Sequence, residues 1–212
     1  MLTRIGVTGG IASGKSEACQ HLKALGAEVL SADSIARQLT DTNPAIRKNI
    51  ASLFGQGAYS DASGSLNREF VAQQAFTDPG KLQALNAIVH PAVLKQIEAE
   101  ILAMEKKTPA RYIAIEAALM FESGLSKKVD YILAVLADER VRIERSRQRD
   151  HVSEEQVRLR MERQISSEEL IEESDFILHN NDSMDEFKRK IAFFHAIFIT
   201  LKPRTAKAHD DN

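Results

Sequence analysis

The stretch that decides the fold is Ile5-Gly6-Val7-Thr8-Gly9-Gly10-Ile11-Ala12-Ser13-Gly14-Lys15-Ser16. Its last eight residues fit the phosphate-loop pattern G-x-x-x-x-G-K-[ST], and its first four form an apolar run typical of a buried parallel strand. A helix that begins at Gly14 or Lys15 would direct its unpaired N–H groups and the positive end of its dipole at the glycine-rich turn. The stretch therefore predicts a strand, a phosphate-binding loop and a helix that together bind a nucleoside triphosphate.

Two side chains of this loop have separate predicted roles. Lys15 can reach the β- and γ-phosphates as a point charge, and the Ser16 hydroxyl can ligate Mg²⁺. The alternative is a glycine-rich turn that binds no ligand. On the favoured interpretation, the other residues of the ATP-binding loop are Gly9, Gly10, Ile11, Ala12, Ser13 and Gly14.

Length and composition suit one α/β domain, since the chain has 212 residues, of which 43% are apolar and 27% charged. The single cysteine, Cys19, cannot form an internal disulfide, and we expect it to be a buried thiol in a reducing compartment. A net charge of −2 argues against nucleic-acid binding. With neither a membrane-length apolar stretch nor a signal peptide in the sequence, we expect a cytoplasmic protein, favour a monomer, and expect only small-molecule partners.

Strand and helix patterns alternate along the chain. The predicted strands cover residues 2–8, 27–30, 111–116, 131–136 and 176–178. The predicted helices cover residues 15–25, 139–149, 153–164 and 185–201. Residues 33–107 read as mostly helical, with interruptions at Asn43-Pro44, Asp78-Pro79-Gly80 and His90-Pro91. An alternating order that opens with a phosphate loop predicts a three-layer α/β/α fold with a parallel sheet.

Positive charge is concentrated between Arg140 and Arg163, which contains eight arginines, no lysine and five carboxylates. One interpretation is a solvated pair of helices with ion pairs between successive turns. The other is phosphate binding, because the planar guanidinium grips phosphate at two points. We favour the second interpretation because a phosphate loop lies upstream.

Acidic residues follow two of the predicted strands. Asp33 lies just beyond the second strand, where it can accept a proton from an attacking hydroxyl or hold Mg²⁺ through water. The alternative for Asp33 is that it caps the following helix. Glu116 ends the third strand and Glu122 lies near it. Glu116 is either an acid on the metal side or a solvated strand terminus.

Further motifs extend over nearly the whole chain. They are Thr8–Ser16, Ala32–Arg37, Leu85–Pro91, Leu119–Glu122, Arg145 through Asp150, Arg160 with Gln164, and Asp175–Ile177 leading to Asn180. Together they resemble the dephospho-coenzyme A kinase family. The L-N-x-I-x-H-P string, combined with Asp33 and the R-x-x-x-R-D motif, is far more specific than the phosphate loop alone.

The resemblance implies that the γ-phosphoryl group of ATP is transferred to the 3′-hydroxyl of dephospho-coenzyme A, with Mg²⁺ present. It also implies that Asp33 orients or deprotonates that hydroxyl, and that Arg145 and Arg149 lie near the transferring phosphate. Asn180 is implied on the adenine side of ATP. The implied acceptor-binding residues are Thr8, Asp33, Arg37, His90, Phe121, Glu122 and Arg160.

We expect a phosphate-loop core at residues 1–60, 108–137 and 171–202, a helical acceptor-side region at 61–107, a lid at 138–170 and a disordered tail at 203–212. Five positions depart from the family pattern: Ala12 replaces a usual glycine, Ser31 and Glu116 each replace a usual aspartate, Ala118 replaces a usual proline, and Asp182 stands where a glycine often follows Asn180. Ala12 must therefore adopt a conformation that a Cβ tolerates. The alternatives for function are a kinase with a nucleoside monophosphate or a sugar acid as acceptor, and a nucleotide-dependent switch.

Overall fold

A computed structural model of the chain describes residues 1–60, 64–162 and 164–204. Arg163, the first three residues of the expected 61–107 region and residues 205–212 of the expected tail lie outside the described residues. The described chain forms two compact units. One contains Met1–Leu30 and the chain from Met104 onward, and the other contains Ser31–Ala103.

The first unit is built on a five-stranded sheet with the order β2-β3-β1-β4-β5. β1 pairs in parallel with both β3 and β4, and β4 pairs in parallel with β5. The chain leaves β1 toward one edge of the sheet and later returns to its other side, so β1 ends at a topological switch point. The strands are β1 (Thr3–Thr8), β2 (Glu28–Ser31), β3 (Tyr112–Glu116), β4 (Tyr131–Leu136) and β5 (Phe176–His179).

Helices cover both faces of this sheet, which confirms the three-layer α/β/α fold. On one face, Leu133 and Val135 of β4 belong to a buried cluster with Leu22 of α1 and Phe187 of α9. On the other face, alternate residues of the same strand pack with Leu170 of α8. The helices of this unit are α1 (Lys15–Ala24), α6 (Glu139–Asp150), α7 (Glu154–Met161), α8 (Ser167–Glu172) and α9 (Met184–Phe198).

The second unit is helical and has its own core, which includes Ile50, Phe54 and Val71. Asp41 joins two of its segments, because its carboxylate accepts hydrogen bonds from the backbone N–H of Leu66 at 2.9 Å and from Arg68 at 2.8 Å. Burial opposes ionisation of Asp41, but these two donors outweigh it and hold the pKa of Asp41 below its usual value. The helices are α2 (Ala32–Thr42), α3 (Pro44–Phe54), α4 (Arg68–Thr77) and α5 (Pro79–Glu105).

Two helices differ from the expectation drawn from the sequence. α5 does not stop at His90-Pro91 but continues to Glu105 with Pro91 inside it. Proline removes one N–H from the helix, and the burial of Val93, Ile97 and Ile101 beyond it holds the later turns in place. α8 was not expected, although the Ser166 side chain and Glu169 form a capping box at its start.

Candidate active site

The phosphate loop lies between β1 and α1, and α1 begins at Lys15 as predicted. Gly9 and Gly14 have φ angles of 147° and 103°, which L side chains rarely adopt. A Cβ on Gly9 would lie 2.2 Å from the carbonyl oxygen of Val135, and one on Gly14 would lie 2.2 Å from Nδ2 of Asn180. Both glycines are therefore required by backbone conformation and by close packing.

Ala12 has a φ angle of 56°, in the left-handed region. A residue with a Cβ can adopt this conformation, as expected, but the left-handed region costs an L-residue roughly 1–2 kcal/mol of conformational free energy. The loop thus keeps the backbone path that glycine would favour, even though the residue is alanine.

The polar side chains at the start of α1 have partners within the loop and on β3. Lys15 donates from Nζ to the carbonyl oxygen of Gly10 at 3.2 Å. The Ser16 hydroxyl donates to Oε1 of Glu116 at 2.5 Å. This bond places a hydroxyl beside a carboxylate, the oxygen ligands that Mg²⁺ prefers.

The described residues contain no group of three or more His, Cys, Asp or Glu side chains that could hold a metal by themselves. Mg²⁺ is usually bound by one or two protein oxygens together with water and the phosphates of a substrate. The Ser16 and Glu116 oxygens match that donor set.

Cys19 lies one turn further along α1 and is buried, as expected. Burial raises the pKa of its thiol, and the charge of Glu116 raises it further, whereas Lys15 acts in the opposite direction. The thiol therefore remains protonated at neutral pH.

Asn180 fixes the phosphate loop to the end of the sheet. It is buried, and its Nδ2 donates to the carbonyl oxygen of Ser13 at 2.8 Å. Its backbone N–H donates to Leu136 at 2.7 Å, and its own carbonyl oxygen accepts from Nη1 of Arg145 at 3.2 Å. Arg145 is thus connected to the phosphate loop through a single residue.

The other two predicted arginines share one carboxylate. Arg149 donates to both oxygens of Asp150, at 2.8 and 3.0 Å, and Arg160 of α7 donates to the same residue at 3.2 Å. The hydrogen bonds from Arg149 hold the pKa of Asp150 below its usual value against the effect of burial. Arg158 pairs with Glu154 and Glu139, so part of this segment follows the ion-pair interpretation.

Two residues near the loop had no role assigned from the sequence. Oε1 of Gln164 accepts a hydrogen bond from the backbone N–H of Ile11 at 2.7 Å. The guanidinium of Arg142 lies against Gly10, where a Cβ would come within 2.1 Å of Nη1. The position of Arg142 three residues before Arg145, on the same face of α6, was the available signal.

The remaining predicted residues of the first unit have varied environments. Thr8 is buried at the end of β1. Phe121 packs against a buried cluster that contains Leu136 and Leu170, so its ring serves the core. Glu122 is exposed.

In the second unit, Asp33 and Arg37 lie one turn apart on α2, and both are exposed. The alternative that Asp33 caps this helix is wrong, because the N-cap is Ser31, whose hydroxyl accepts from the backbone N–H of Ser34 at 3.3 Å. Asp33 instead lies in the first turn of α2, and its carboxylate is not the group that caps the helix. His90 is half-buried on α5.

A parallel α/β sheet with a phosphate loop at the carboxyl end of its central strand is the fold of the phosphate-loop kinases. Shikimate kinase from Acinetobacter baumannii shares this fold, with a TM-score of 0.56 at 13% identity, covering 95% of this chain and 97% of that one. No helix in the described ranges has the length and apolar character needed to span a bilayer.

Comparison with known proteins defines the family. The family model for dephospho-CoA kinase matches residues 3–186. The dephospho-CoA kinase of Salinibacter ruber is 42% identical over 193 residues, covering 90% of this chain and 95% of that protein. That of Chlorobaculum tepidum is 36% identical over 200 residues, covering 93% and 95%. Dephospho-CoA kinase from Campylobacter jejuni superposes with a TM-score of 0.68 at 26% identity, covering 92% and 96%. The chain belongs to the dephospho-CoA kinase family.

Proposed function

We propose that this chain transfers the γ-phosphoryl group of ATP to the 3′-hydroxyl of dephospho-coenzyme A, which completes coenzyme A. The observation that carries the proposal is a formed phosphate loop at the switch point of the sheet, in a chain that the family model matches over residues 3–186. The roles proposed below concern individual residues of this chain.

On the donor side, the loop amides and Lys15 bind the phosphates of ATP. Nζ of Lys15 bonds to the carbonyl oxygen of Gly10 in the loop, which supports a role in neutralising the β- and γ-phosphates. Ser16 and Glu116 would hold Mg²⁺, which neutralises charge on the phosphates when it is bound. Asn180 keeps the loop in register with β5 and β4, and we propose that it also borders the adenine.

On the acceptor side, Asp33 orients or deprotonates the attacking hydroxyl. Its carboxylate is exposed and is not used as the cap of α2, which leaves it available for a substrate. Thr8, Arg37, His90, Glu122 and Arg160 remain predicted acceptor contacts. For Phe121 the packing supports a role in the core, and only the resemblance supports an acceptor contact.

We propose that residues 138–170 form a lid that closes over the transferring phosphate and excludes water. Two contacts support this role, since Arg145 reaches Asn180 and Gln164 reaches Ile11. Arg149 and Arg160 both hold Asp150, so a phosphate that binds them competes with that carboxylate.

A coupled assay of ADP release tests the proposed reaction. Dephospho-coenzyme A should stimulate the release of ADP, whereas a nucleoside monophosphate or shikimate should not. Without an acceptor, ADP release should stay slow. Lys15→Ala should retain the fold and lose nearly all transfer, because the charge on the β- and γ-phosphates is no longer neutralised. Lys23→Ala, an exposed lysine on the same helix, is the matched control.

Other outcomes would assign a different function. Slow ADP release that no acceptor stimulates would favour a nucleotide-dependent switch, and stimulation by a monophosphate would favour a different kinase. We further propose a cytoplasmic monomer that binds no nucleic acid. The net charge of −2 supports the last point, and light scattering of the purified protein tests the monomer.

A further inference from the structure

Three arginines of α6 lie on one stripe of the helix. Arg142, Arg145 and Arg149 are spaced i, i+3 and i+7, so their side chains leave the same face. The residues between them include Ile143 and Ser146, which are buried, and Arg147, which is exposed. The family resemblance assigns roles to Arg145 and Arg149 and none to Arg142.

The guanidinium of Arg142 lies close to the phosphate loop. A Cβ on Gly10 would lie 2.1 Å from its Nη1, so a larger residue at position 10 would push the guanidinium aside. Its Nε is buried and has no hydrogen-bond partner in the part of the chain that the structure describes. A buried donor of this kind costs free energy until an acceptor reaches it.

The charge of Arg142 is also poorly compensated. Burial lowers the pKa of its guanidinium, and Glu139 acts in the opposite direction. Glu139, however, is paired with Arg158. A cation held against an anion-binding loop, with its nearest carboxylate engaged elsewhere, is arranged for an anionic ligand.

We propose that Arg142 binds the phosphate chain of ATP across Gly10, as a third phosphate-contacting arginine of this stripe. The planar guanidinium donates to phosphate oxygens while the loop amides bind the same phosphates from the other side. This inference rests on the proposed function, since it takes ATP as the ligand of the loop. It concerns the donor, so the acceptor's KM should not depend on Arg142.

Calorimetric titration with ATP and with inorganic tripolyphosphate tests the proposal. Arg142→Gln should raise the Kd of both ligands about tenfold or more, because a charge-assisted contact to phosphate is lost. It should also make the Kd less dependent on salt, since one screened charge has been removed. Arg147→Gln removes the same charge from the exposed face of α6 and should change neither quantity.

A purely structural role for Arg142 predicts the opposite pattern. Loss of a structural contact would lower the melting temperature of the ligand-free protein. We expect that temperature to be unchanged or higher in Arg142→Gln, because a desolvated cation has been removed. If Arg142→Gln does not fold, Arg142→Lys decides the question, since it keeps the charge without the two-pronged geometry and should raise the Kd of ATP by less than about tenfold.

An ATP Kd within twofold of the wild type in the folded variant would overturn the inference, as would a lower melting temperature with an unchanged salt dependence. Failure of the wild-type protein to bind ATP or tripolyphosphate would instead overturn the proposed function. The two failures are therefore distinguishable in one set of titrations.

Discussion

The backbone of Ala12 carries a conformational cost inside the loop that binds phosphate. Its φ angle of 56° is compatible with an L-residue only at a penalty, and the neighbouring Gly9 and Gly14 avoid that penalty because they have no Cβ. Strain of this kind persists when the surrounding contacts determine the backbone path. Here those contacts include the bond from Gln164 to the adjacent Ile11.

Replacement of Ala12 by glycine should therefore stabilise the protein. We expect Ala12→Gly to raise the free energy of unfolding by about 1 kcal/mol, measured by urea denaturation. Ala99→Gly, at an exposed helical position of α5, should lower it by roughly 0.5–1 kcal/mol. Equal losses in both variants would contradict the claim that Ala12 is strained.

Asp33 has a proposed role toward the acceptor, whereas Ser31 caps α2, so variants at these two positions test the two roles separately. Asp33→Asn should lower kcat about 100-fold or more, because a group that acts on the attacking hydroxyl contributes in the transition state. Its effect on stability should stay within about 1 kcal/mol, since only a favourable charge near the helix N-terminus is lost. ATP affinity should change little.

Ser31→Ala is the matched control, because it removes the cap of α2 and should lower stability by about 1 kcal/mol while transfer continues. Coupled kinetics and urea denaturation measure both effects. Normal transfer by Asp33→Asn would leave the acceptor hydroxyl without an assigned base.

For individual residues, the sequence predicts roles that depend on near neighbours in the chain, but it does not predict contacts between distant residues. The positions of Gly14 and Lys15 at the start of α1 follow from the loop pattern and the apolar strand before it. Gln164 and Ile11 are 153 residues apart, so no local pattern could pair them. The capping role of Ser31 was missed because aspartate two residues later has an equally good capping side chain.

The proposed lid is the element whose contacts we expect to change during the reaction. Gln164 occupies the N–H of Ile11 with a side-chain oxygen, and a phosphate oxygen of ATP competes for the same donor. Residues 138–170 should therefore exchange amide hydrogens faster than the sheet without ligand, and gain protection when both substrates bind.

Gln164→Ala should release this restraint. Without ligand, we expect lid amides to exchange about fivefold faster, because a neutral hydrogen bond contributes roughly 1 kcal/mol. Gln148→Ala removes an exposed glutamine whose side chain bonds to Glu144 on α6, and should leave exchange unchanged. Equal protection with and without substrates in the wild type would reduce the segment to a fixed pair of helices.

Element order could be predicted almost entirely, but several element ends could not. Buried parallel strands such as β4 stand out as apolar runs, and its bounds were predicted without error. Pro91 suggested an end to α5 because proline breaks most helices, yet burial of later residues kept the helix intact. α8 has only six residues, too few to show a helical period.

At the scale of the whole molecule, the two ends of the sheet differ: one carries the phosphate loop and the other holds the end of the described chain. The phosphate loop lies at the carboxyl ends of the strands, and the chain after α9 returns to the amino ends. There, Arg204 pairs with Asp175 at 2.5 Å and lies over the Tyr131 ring at 4.1 Å from its centre, while its backbone N–H donates to Asp130 at 2.9 Å. The last described residue is thereby held to the entrances of β4 and β5.

Arg204→Ala should lower the global free energy of unfolding by about 1–2 kcal/mol, because one ion pair and one cation–π contact are lost. ATP binding should be unaffected, since the loop lies at the other end of the sheet. Arg189→Ala removes an exposed arginine that pairs with Glu186 of its own helix, and should lower the free energy of unfolding much less. A weaker ATP affinity in Arg204→Ala, measured by titration, would contradict this separation.

The sequence predicts a disordered tail from residue 203 because that segment is polar, and this stays a prediction. Arg204, at its start, bonds to residues 29 and 74 positions away. Composition describes how well a segment can form its own core, and it carries no information about partners supplied by distant strands. The pairing of Arg204 therefore became visible only with the sheet assembled.

The buried thiol of Cys19 has a practical consequence for following the motion of the lid. Cys19 is the chain's single cysteine, and burial keeps it protonated and inaccessible to alkylating reagents. The chain therefore needs no removal of cysteine before a label is attached at a chosen site. A cysteine introduced at an exposed lid position, as in Gln148→Cys, would be the sole reactive thiol, and one fluorophore or spin label there would report opening and closing in real time.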